Sequence, residues 1–76
     1  MTEFDVELDA RGLICPLPLL RAKNALSQMA SGQVLRITAT DKGSPIDLAV
    51  FCDKTGNEML SSVEQDDEFV FMVRRR

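Results

Sequence analysis

The sequence of 76 residues contains no histidine, no tryptophan and no tyrosine. Without histidine, this chain alone cannot form a Cys-His dyad, a histidine metal site or a histidine acid-base catalyst. It has only two cysteines, and it lacks both a signal-peptide apolar region and an apolar run long enough to cross a bilayer. These absences favour a reduced, cytoplasmic protein without disulfides. The chemistry of this chain must therefore be carried by sulfur.

Composition limits size and partners in the same way. The 12 acidic and 9 basic residues give a net charge of −3, so we expect no general attraction to nucleic acid or to a membrane. With 45% apolar residues, the chain can form one small domain with one core, spanning residues 1–76. No pattern calls for a cofactor, a metal ion or more than a monomer.

Apolar periodicity predicts two strand-helix units followed by a hairpin. The predicted elements are a strand over 4–9, a helix from Pro16 stopped by Ser31-Gly32, a strand over Val34–Thr40, a helix from a capping Ser44 to about Thr55, and strands over Glu58–Glu64 and Glu68–Arg74. Crossover connections make the first two strands parallel, whereas the hairpin is antiparallel. The last strand is apolar on both faces, which favours an interior position with the third strand at an edge. The predicted fold class is α/β (α+β), a βαβαββ two-layer sandwich with both helices on one face of a mixed four-stranded sheet.

The same pattern predicts the core. Its expected members are Leu19, Leu20, Ala22, Ala25, Leu26 and Met29 of the first helix, Leu48 and Phe51 of the second, and Phe4, Leu35, Ile37, Ala39, Phe69 and Phe71 of the strands. Cys52, beside Phe51, is interpreted as a packed bystander. The alternative for Cys52 is a resolving or regulatory thiol.

Cys15-Pro16-Leu17-Pro18 places a lone thiol where a turn ends and the first helix begins. Cys15 is predicted at the N-cap, with both prolines in the first turn, where they remove no helix hydrogen bond. A thiol at a helix N-terminus lies near partial positive charge, which lowers a cysteine pKa. The motif therefore predicts an exposed, anionic and reactive cysteine. The bland alternative is a small buried residue at a helix end.

The chain resembles the TusA/SirA-like family of small sulfur-carrier proteins nearly end to end. The residues that carry the resemblance are Asp9, Gly12, Cys15-Pro16-Leu17-Pro18, Lys23, Gly32, Thr40-Asp41 and Thr55-Gly56. The resemblance implies that Cys15 carries sulfane sulfur as a persulfide. It also implies a cysteine desulfurase or rhodanese-like protein as the donor, and an acceptor protein leading to tRNA thiolation, molybdenum-cofactor synthesis or sulfur oxidation. Such a carrier is a co-substrate of other enzymes, so whether the chain counts as an enzyme stays open.

Other residues of the motif region have less specific interpretations. Asp9 and Gly12 are interpreted as shaping the loop that exposes Cys15. Arg11, Arg21 and Lys23 are candidate partner-binding residues around the thiol, although a charged helix face is often only solvated. The Arg74–Arg76 tail is either a further docking element or disordered. The outer sheet face, with Arg36, Thr38, Val70 and Met72, is a second candidate contact surface.

Two other functional classes remain open. The thiol could serve a redox or regulatory binding module without moving sulfur, or the chain could be a structural accessory domain. An independent catalyst is least supported, because no acid, base or metal constellation accompanies the sulfur. The chain departs from the common family pattern at Leu17, between the two prolines, and at Asn57, after Gly56, which leaves the partners undetermined.

Overall fold

The structure is a computed structural model that describes residues 3–76, so Met1 and Thr2 of the predicted domain lie outside it. Its elements are β1 (Val6–Ala10), α1 (Leu17–Ser27), β2 (Val34–Ala39), α2 (Ser44–Thr55), β3 (Glu58–Gln65) and β4 (Glu68–Arg74). The predicted βαβαββ order is confirmed, and β4 has the predicted bounds.

The four strands form one mixed sheet in the order β1-β2-β4-β3. β1 and β2 are parallel, with Ala10 opposite Ala39 at their carboxyl ends, and β4 is antiparallel to both β2 and β3. The interior position of β4 and the edge position of β3 are therefore confirmed. Asp66 and Asp67 form the two-residue turn of the β3-β4 hairpin with φ angles of 53° and 64°, which suits the twist of the paired strands.

The core lies between the helix layer and one face of the sheet. Its buried members are Ala10, Ala22, Leu26, Met29, Leu35, Ile37, Ala39, Leu48, Cys52, Phe71 and Val73, with Leu19, Ala25, Phe51 and Phe69 packed against them. The prediction was wrong at two positions. Leu20 is 50% exposed because it lies on the outer face of α1, opposite Ala22. Phe4 is 40% exposed because it precedes β1, where its ring contacts the Arg36 guanidinium at 5.4 Å.

Helix boundaries differ from the prediction at the end of α1 and at the start of both helices. α1 ends at Ser27 rather than at Ser31-Gly32, because the amides of Gln28 and Met29 close the last turn and Arg75 Nε donates to the Leu26 carbonyl at 2.7 Å. At α2, Gly43 is the N-cap and Ser44 is the first helical residue. The predicted serine cap is wrong, since Ser44 Oγ is buried and has no hydrogen-bond partner within residues 3–76. Gly56 ends α2 as predicted, with a φ of 81°.

The C-terminal arginines lie against the body of the protein. The Arg75 amide donates to the Gln33 carbonyl at 2.8 Å, and the Arg76 amide donates to Asn57 Oδ1 at 2.8 Å. The Arg74 guanidinium pairs with Glu58 on the neighbouring strand. The alternative of a disordered tail is therefore wrong for this structure.

Candidate functional site

Parallel pairing of β1 and β2 brings two loops together at one edge of the sheet. Each strand is followed by a helix, so both helices begin at the carboxyl ends of their strands. The Gly12 amide donates to Thr40 Oγ1 at 2.9 Å, which joins the two loops directly. Gly12 has a φ of 79°, a left-handed conformation that favours glycine at this turn.

Cys15 is exposed in the first of these loops. Pro16, joined to it by a cis peptide bond, is the N-cap, and α1 begins at Leu17. The predicted N-cap position of Cys15 is therefore wrong by one residue. Pro18 lies in the first turn as predicted, and its ring is buried, so it anchors the start of α1 against the core.

The Cys15 thiol faces the start of the second helix. It donates a hydrogen bond to Asp47 Oδ2, on the first turn of α2. Gly43 lies at the same place, since a Cβ atom there would be 3.4 Å from Cys15 Cβ and 3.0 Å from Asp41 Oδ2. Asp41 accepts a hydrogen bond from the Gly43 amide at 2.9 Å, which fixes this carboxylate beside the N-cap. The thiol is therefore close to two carboxylates from the second loop and helix.

These carboxylates reverse the expected electrostatics. The hydrogen bond to Asp47, desolvation and the charges of Asp47 and Asp41 raise the pKa of the Cys15 thiol to about 11. The expected lowering of this pKa by a helix N-terminus is wrong, because a full negative charge in hydrogen-bond contact outweighs partial positive charges at helix ends. In the free protein, Cys15 is a neutral thiol at physiological pH.

Asp9 and Arg11 form an ion-paired cluster on the open face of the sheet. Asp9 accepts hydrogen bonds from the Arg11 amide at 3.1 Å and from Arg11 Nε at 2.9 Å, which holds the turn after β1. These bonds lower the pKa of Asp9 to about 2. Arg11 also reaches Glu68 at 3.5 Å, so its charge is shared between two acids. Asp9 and Arg11 line a cavity of about 230 Å³ together with Glu7 and Arg36.

Arg21 and Lys23 are exposed on α1, but the structure does not bring them together with Arg11. Neither forms an ion pair within residues 3–76. Lys23 faces α2, where it lines a cavity of about 370 Å³ with Asp47. A second cavity, of about 320 Å³, is lined by Lys23 and the C-terminal Arg75 and Arg76.

Cys52 lies in the core with 5% of its surface exposed, and burial raises its pKa. Both cysteines are free thiols. Within residues 3–76, no group of three cysteine, aspartate or glutamate side chains could hold a metal ion. In the same part of the chain, no helix is both long and apolar enough to cross a membrane.

Sequence reasoning missed Asp47 and Asp41 as neighbours of the thiol. The signal that could have found them is topological: two parallel strands place the starts of both helices at one sheet edge, so the first turn of α2 must approach the loop that carries Cys15.

Fold and site together define a class: small two-layer βαβαββ proteins that expose one thiol at the start of the first helix. Comparison with known proteins agrees with this description. The family described as Sulfurtransferase TusA matches residues 6–75. This chain belongs to that family, which confirms the resemblance seen in the sequence.

The relatives cover the chain almost completely. Sulfur carrier protein TusA of Allochromatium vinosum is 52% identical over 75 residues, which is 99% of each chain. Sulfur carrier protein TusA of Pseudomonas putida strain GB-1 is 35% identical over 78 residues, covering 100% of this chain and 98% of its own. The crystal structure of a SirA-like protein from Desulfitobacterium hafniense superposes with a TM-score of 0.78 at 25% identity, covering 92% of this chain and 95% of that one.

Proposed function

We propose that this protein is a sulfur carrier whose Cys15 accepts sulfane sulfur as a persulfide and passes it to an acceptor protein. The observation that carries the proposal is one exposed thiol in the loop before α1, in a chain that belongs to the TusA family. The two relatives named above are both called sulfur carriers. In this proposal residues 1–76 act as one carrier domain.

Each transfer is a thiol exchange without net oxidation. In loading, the Cys15 sulfur attacks the terminal sulfur of a donor persulfide, a Cys15 S–S bond forms and the donor S–S bond breaks. The donor sulfur leaves as a thiolate and takes up the proton that Cys15 gave. Unloading repeats the exchange with an acceptor thiol. The carried sulfur lies one S–S bond, about 2.05 Å, beyond Sγ and can reach into a partner.

A cysteine desulfurase or a rhodanese-like protein is the proposed donor. The acceptor is a protein of tRNA 2-thiolation, molybdenum-cofactor synthesis or sulfur oxidation. The carrier acts in the reducing cytoplasm as a monomer, with no membrane and no direct nucleic-acid contact. Its net charge of −3 supports the last point. It serves as a co-substrate, because its single reactive group needs chemistry supplied by partners.

The motif residues around Cys15 have separate proposed roles. Asp9 accepts a hydrogen bond from the Arg11 amide, and the Gly12 amide donates one to Thr40 Oγ1. These two bonds hold the loop. Pro16 and Pro18 set the entry to α1, with Pro18 buried as the anchor. These contacts support a loop-shaping role for all four residues.

The proposed partner-binding residues differ in availability. Arg21 and Lys23 are exposed and outside the ion pairs of residues 3–76, so they are available to acidic groups on a partner. Arg11 is committed to Asp9 and Glu68, and a partner must displace those contacts to use it. We therefore expect Arg21 and Lys23 to contribute more to docking than Arg11.

The alternative of a redox sensor has less support. A sensor cysteine and a carrier cysteine both react as the thiolate, so the hydrogen bond from Cys15 to Asp47 does not separate the two functions. The sulfur-carrier names of the two relatives favour the carrier. The buried Cys52 also offers no accessible resolving thiol. A structural accessory role is disfavoured by the exposure of Cys15.

A pulse-chase experiment tests the proposal. The protein is incubated with radiolabelled cysteine and a cysteine desulfurase, and in parallel with a rhodanese charged with labelled thiosulfate, then repurified and treated with dithiothreitol. Label that binds stoichiometrically and is released as sulfide is the expected result for the wild type and for Cys52→Ala. Cys15→Ser should bind none. Label on Cys15→Ser, or no label on the wild type from either donor, would overturn the proposal.

A further inference from the structure

The helix ends that flank Cys15 expose an unusual amount of apolar surface. Within residues 3–76, seven large apolar side chains are exposed, and five of them lie in the loop before α1 or on one of the two helices. These five are Ile14 (71%), Leu17 (44%), Leu20 (50%), Ile46 (70%) and Val50 (46%). We call these five side chains the thiol rim.

Helical spacing places two pairs of the thiol rim on exposed helix faces. Leu17 and Leu20 are three positions apart on α1, and Ile46 and Val50 are four apart on α2, so each pair shares a helix face turned away from the core. The hydrogen bond from the Cys15 thiol to Asp47 links the starts of the two helices. Ile14 and Leu17 lie within two positions of Cys15, Ile46 is next to Asp47, and Val50 lines the same cavity as Asp47. Four of the five side chains therefore lie close to the thiol or to the carboxylate that accepts its hydrogen bond.

The two carboxylates beside the thiol, those of Asp41 and Asp47, form no ion pair within residues 3–76. Lys23 and Lys54 line the cavity beside Asp47, but neither forms an ion pair with it. An incoming group that meets the thiol thus meets apolar side chains beside two unpaired carboxylates. Charge complementarity favours a cation on the partner.

We propose that the thiol rim docks a partner segment that is apolar and carries a cationic side chain beside its own reactive sulfur. The cation pairs with Asp47, which releases the Cys15 proton from its acceptor and frees the thiol to exchange. This inference rests on the proposed function, because that function identifies the partner as a sulfur donor or acceptor. Arg21, which is exposed on α1 and outside the rim, then meets an acid at the partner's periphery.

Small disulfides test the charge beside the thiol. In each exchange the Cys15 thiolate attacks one sulfur, a mixed disulfide forms, and the leaving thiolate takes up the proton. Rates are measured by intact mass with cationic cystamine, neutral hydroxyethyl disulfide and anionic dithiodipropionate. Each rate is divided by that of the neutral reagent, which cancels the fraction of Cys15 in the thiolate form.

The ratio of the cystamine rate to the dithiodipropionate rate should be about fivefold larger for the wild type than for the double variant Asp41→Asn/Asp47→Asn. Added salt should reduce the wild-type ratio. The control Asp53→Asn/Asp66→Asn removes the same charge from exposed positions outside the site and should keep the wild-type preference. Equal preferences in the wild type and the Asp41/Asp47 variant would overturn the charge half of the proposal.

Peptide disulfides test the apolar half. Two peptides carry arginine beside a cysteine activated with thionitrobenzoate, one flanked by leucines and the other by serines. The wild type should react about fivefold faster with the leucine peptide. Val50→Ser should reduce this advantage, whereas Val63→Ser, which changes a side chain of similar exposure on β3, should not. If Val50→Ser leaves the rate advantage of the leucine peptide unchanged, the thiol rim is not the docking surface.

The two proposals fail separately. If the protein shows the expected disulfide selectivity but does not accept sulfur, the thiol rim is still a docking surface, but its assignment to sulfur exchange is wrong. Loading without selectivity would keep the carrier and overturn the thiol rim.

Discussion

Replacing Asp47 with asparagine should lower the pKa of the Cys15 thiol from about 11 toward its ordinary value of 9.0. The hydrogen bond to the Asp47 carboxylate is the largest cause of the raised pKa, and the charge of Asp41 is a minor one. Asparagine keeps the size of the side chain but carries no charge. It can also donate its amide N–H to the thiolate.

The effect on reactivity follows from two opposing changes. Desolvation and the charge of Asp41 remain in the variant, so a fall of about two pKa units is the largest expected. At pH 8 this fall raises the thiolate fraction at most about a hundredfold, from about one in a thousand to about one in ten. The less basic thiolate is about eightfold less nucleophilic, given a Brønsted coefficient of about 0.4–0.5. Asp47→Asn should therefore react faster than the wild type at pH 8, by up to about tenfold, and the two pH-rate curves should cross at about pH 10.

The assay is exchange of Cys15 with neutral hydroxyethyl disulfide between pH 6 and about pH 11, followed by intact mass, with peptide mapping to assign the site. Asp53→Asn, on the same helix, is the matched control and should follow the wild-type curve. A wild-type pKa below 9.0, or superimposed curves for Asp47→Asn and the wild type, would refute the reasoning.

Three further predictions concern stability and titration. Folding raises the pKa of Cys15 from 9.0 to about 11. The contribution of Cys15 to the free energy of unfolding is therefore present below pH 9 and is lost as the pH rises toward 11. Urea unfolding measured across that pH range would detect this loss. Leu48→Ala should lower the free energy of unfolding by about 3 kcal/mol, whereas Val63→Ala on the exposed edge strand should change it by less than about 1 kcal/mol; equal effects would contradict the packing described. Arg11→Ala should raise the pKa of Asp9 from about 2 toward 3.8 in an NMR titration of its carboxyl carbon, and an unmoved value would show that the Arg11 contacts do not cause the shift.

The sequence pattern predicted the sheet well because its signals are strong and local. β4 is apolar on both faces, and this alone indicated an interior strand with β3 at the edge. Gly56 marked the end of α2 because a left-handed residue was required there. The end of α1 was not predictable in this way, because the Arg75 side chain that binds its last turn comes from the other end of the chain.

The site was predictable in its reactive atom and not in its electrostatics. Cys15 is an exposed thiol beside the start of α1, as its motif indicated. Its protonation state depends on Asp47, which is 32 positions away along the chain and reaches the thiol only through the parallel crossover. A helix dipole can be read from local sequence, whereas a carboxylate from a neighbouring helix requires the tertiary arrangement. Leu20 was misassigned to the core because it lies on the outer face of α1, opposite Ala22.

The most direct test of the central claim is the position of the added sulfur after loading. The protein is incubated with a cysteine desulfurase and cysteine, and in a parallel sample with a rhodanese charged with thiosulfate. It is then alkylated to trap persulfides, digested and analysed by peptide mass spectrometry. The account predicts one additional sulfur atom on the peptide that contains Cys15 and none on the peptide that contains Cys52. Added sulfur on Cys52 alone, or on neither peptide with both donors, would contradict it.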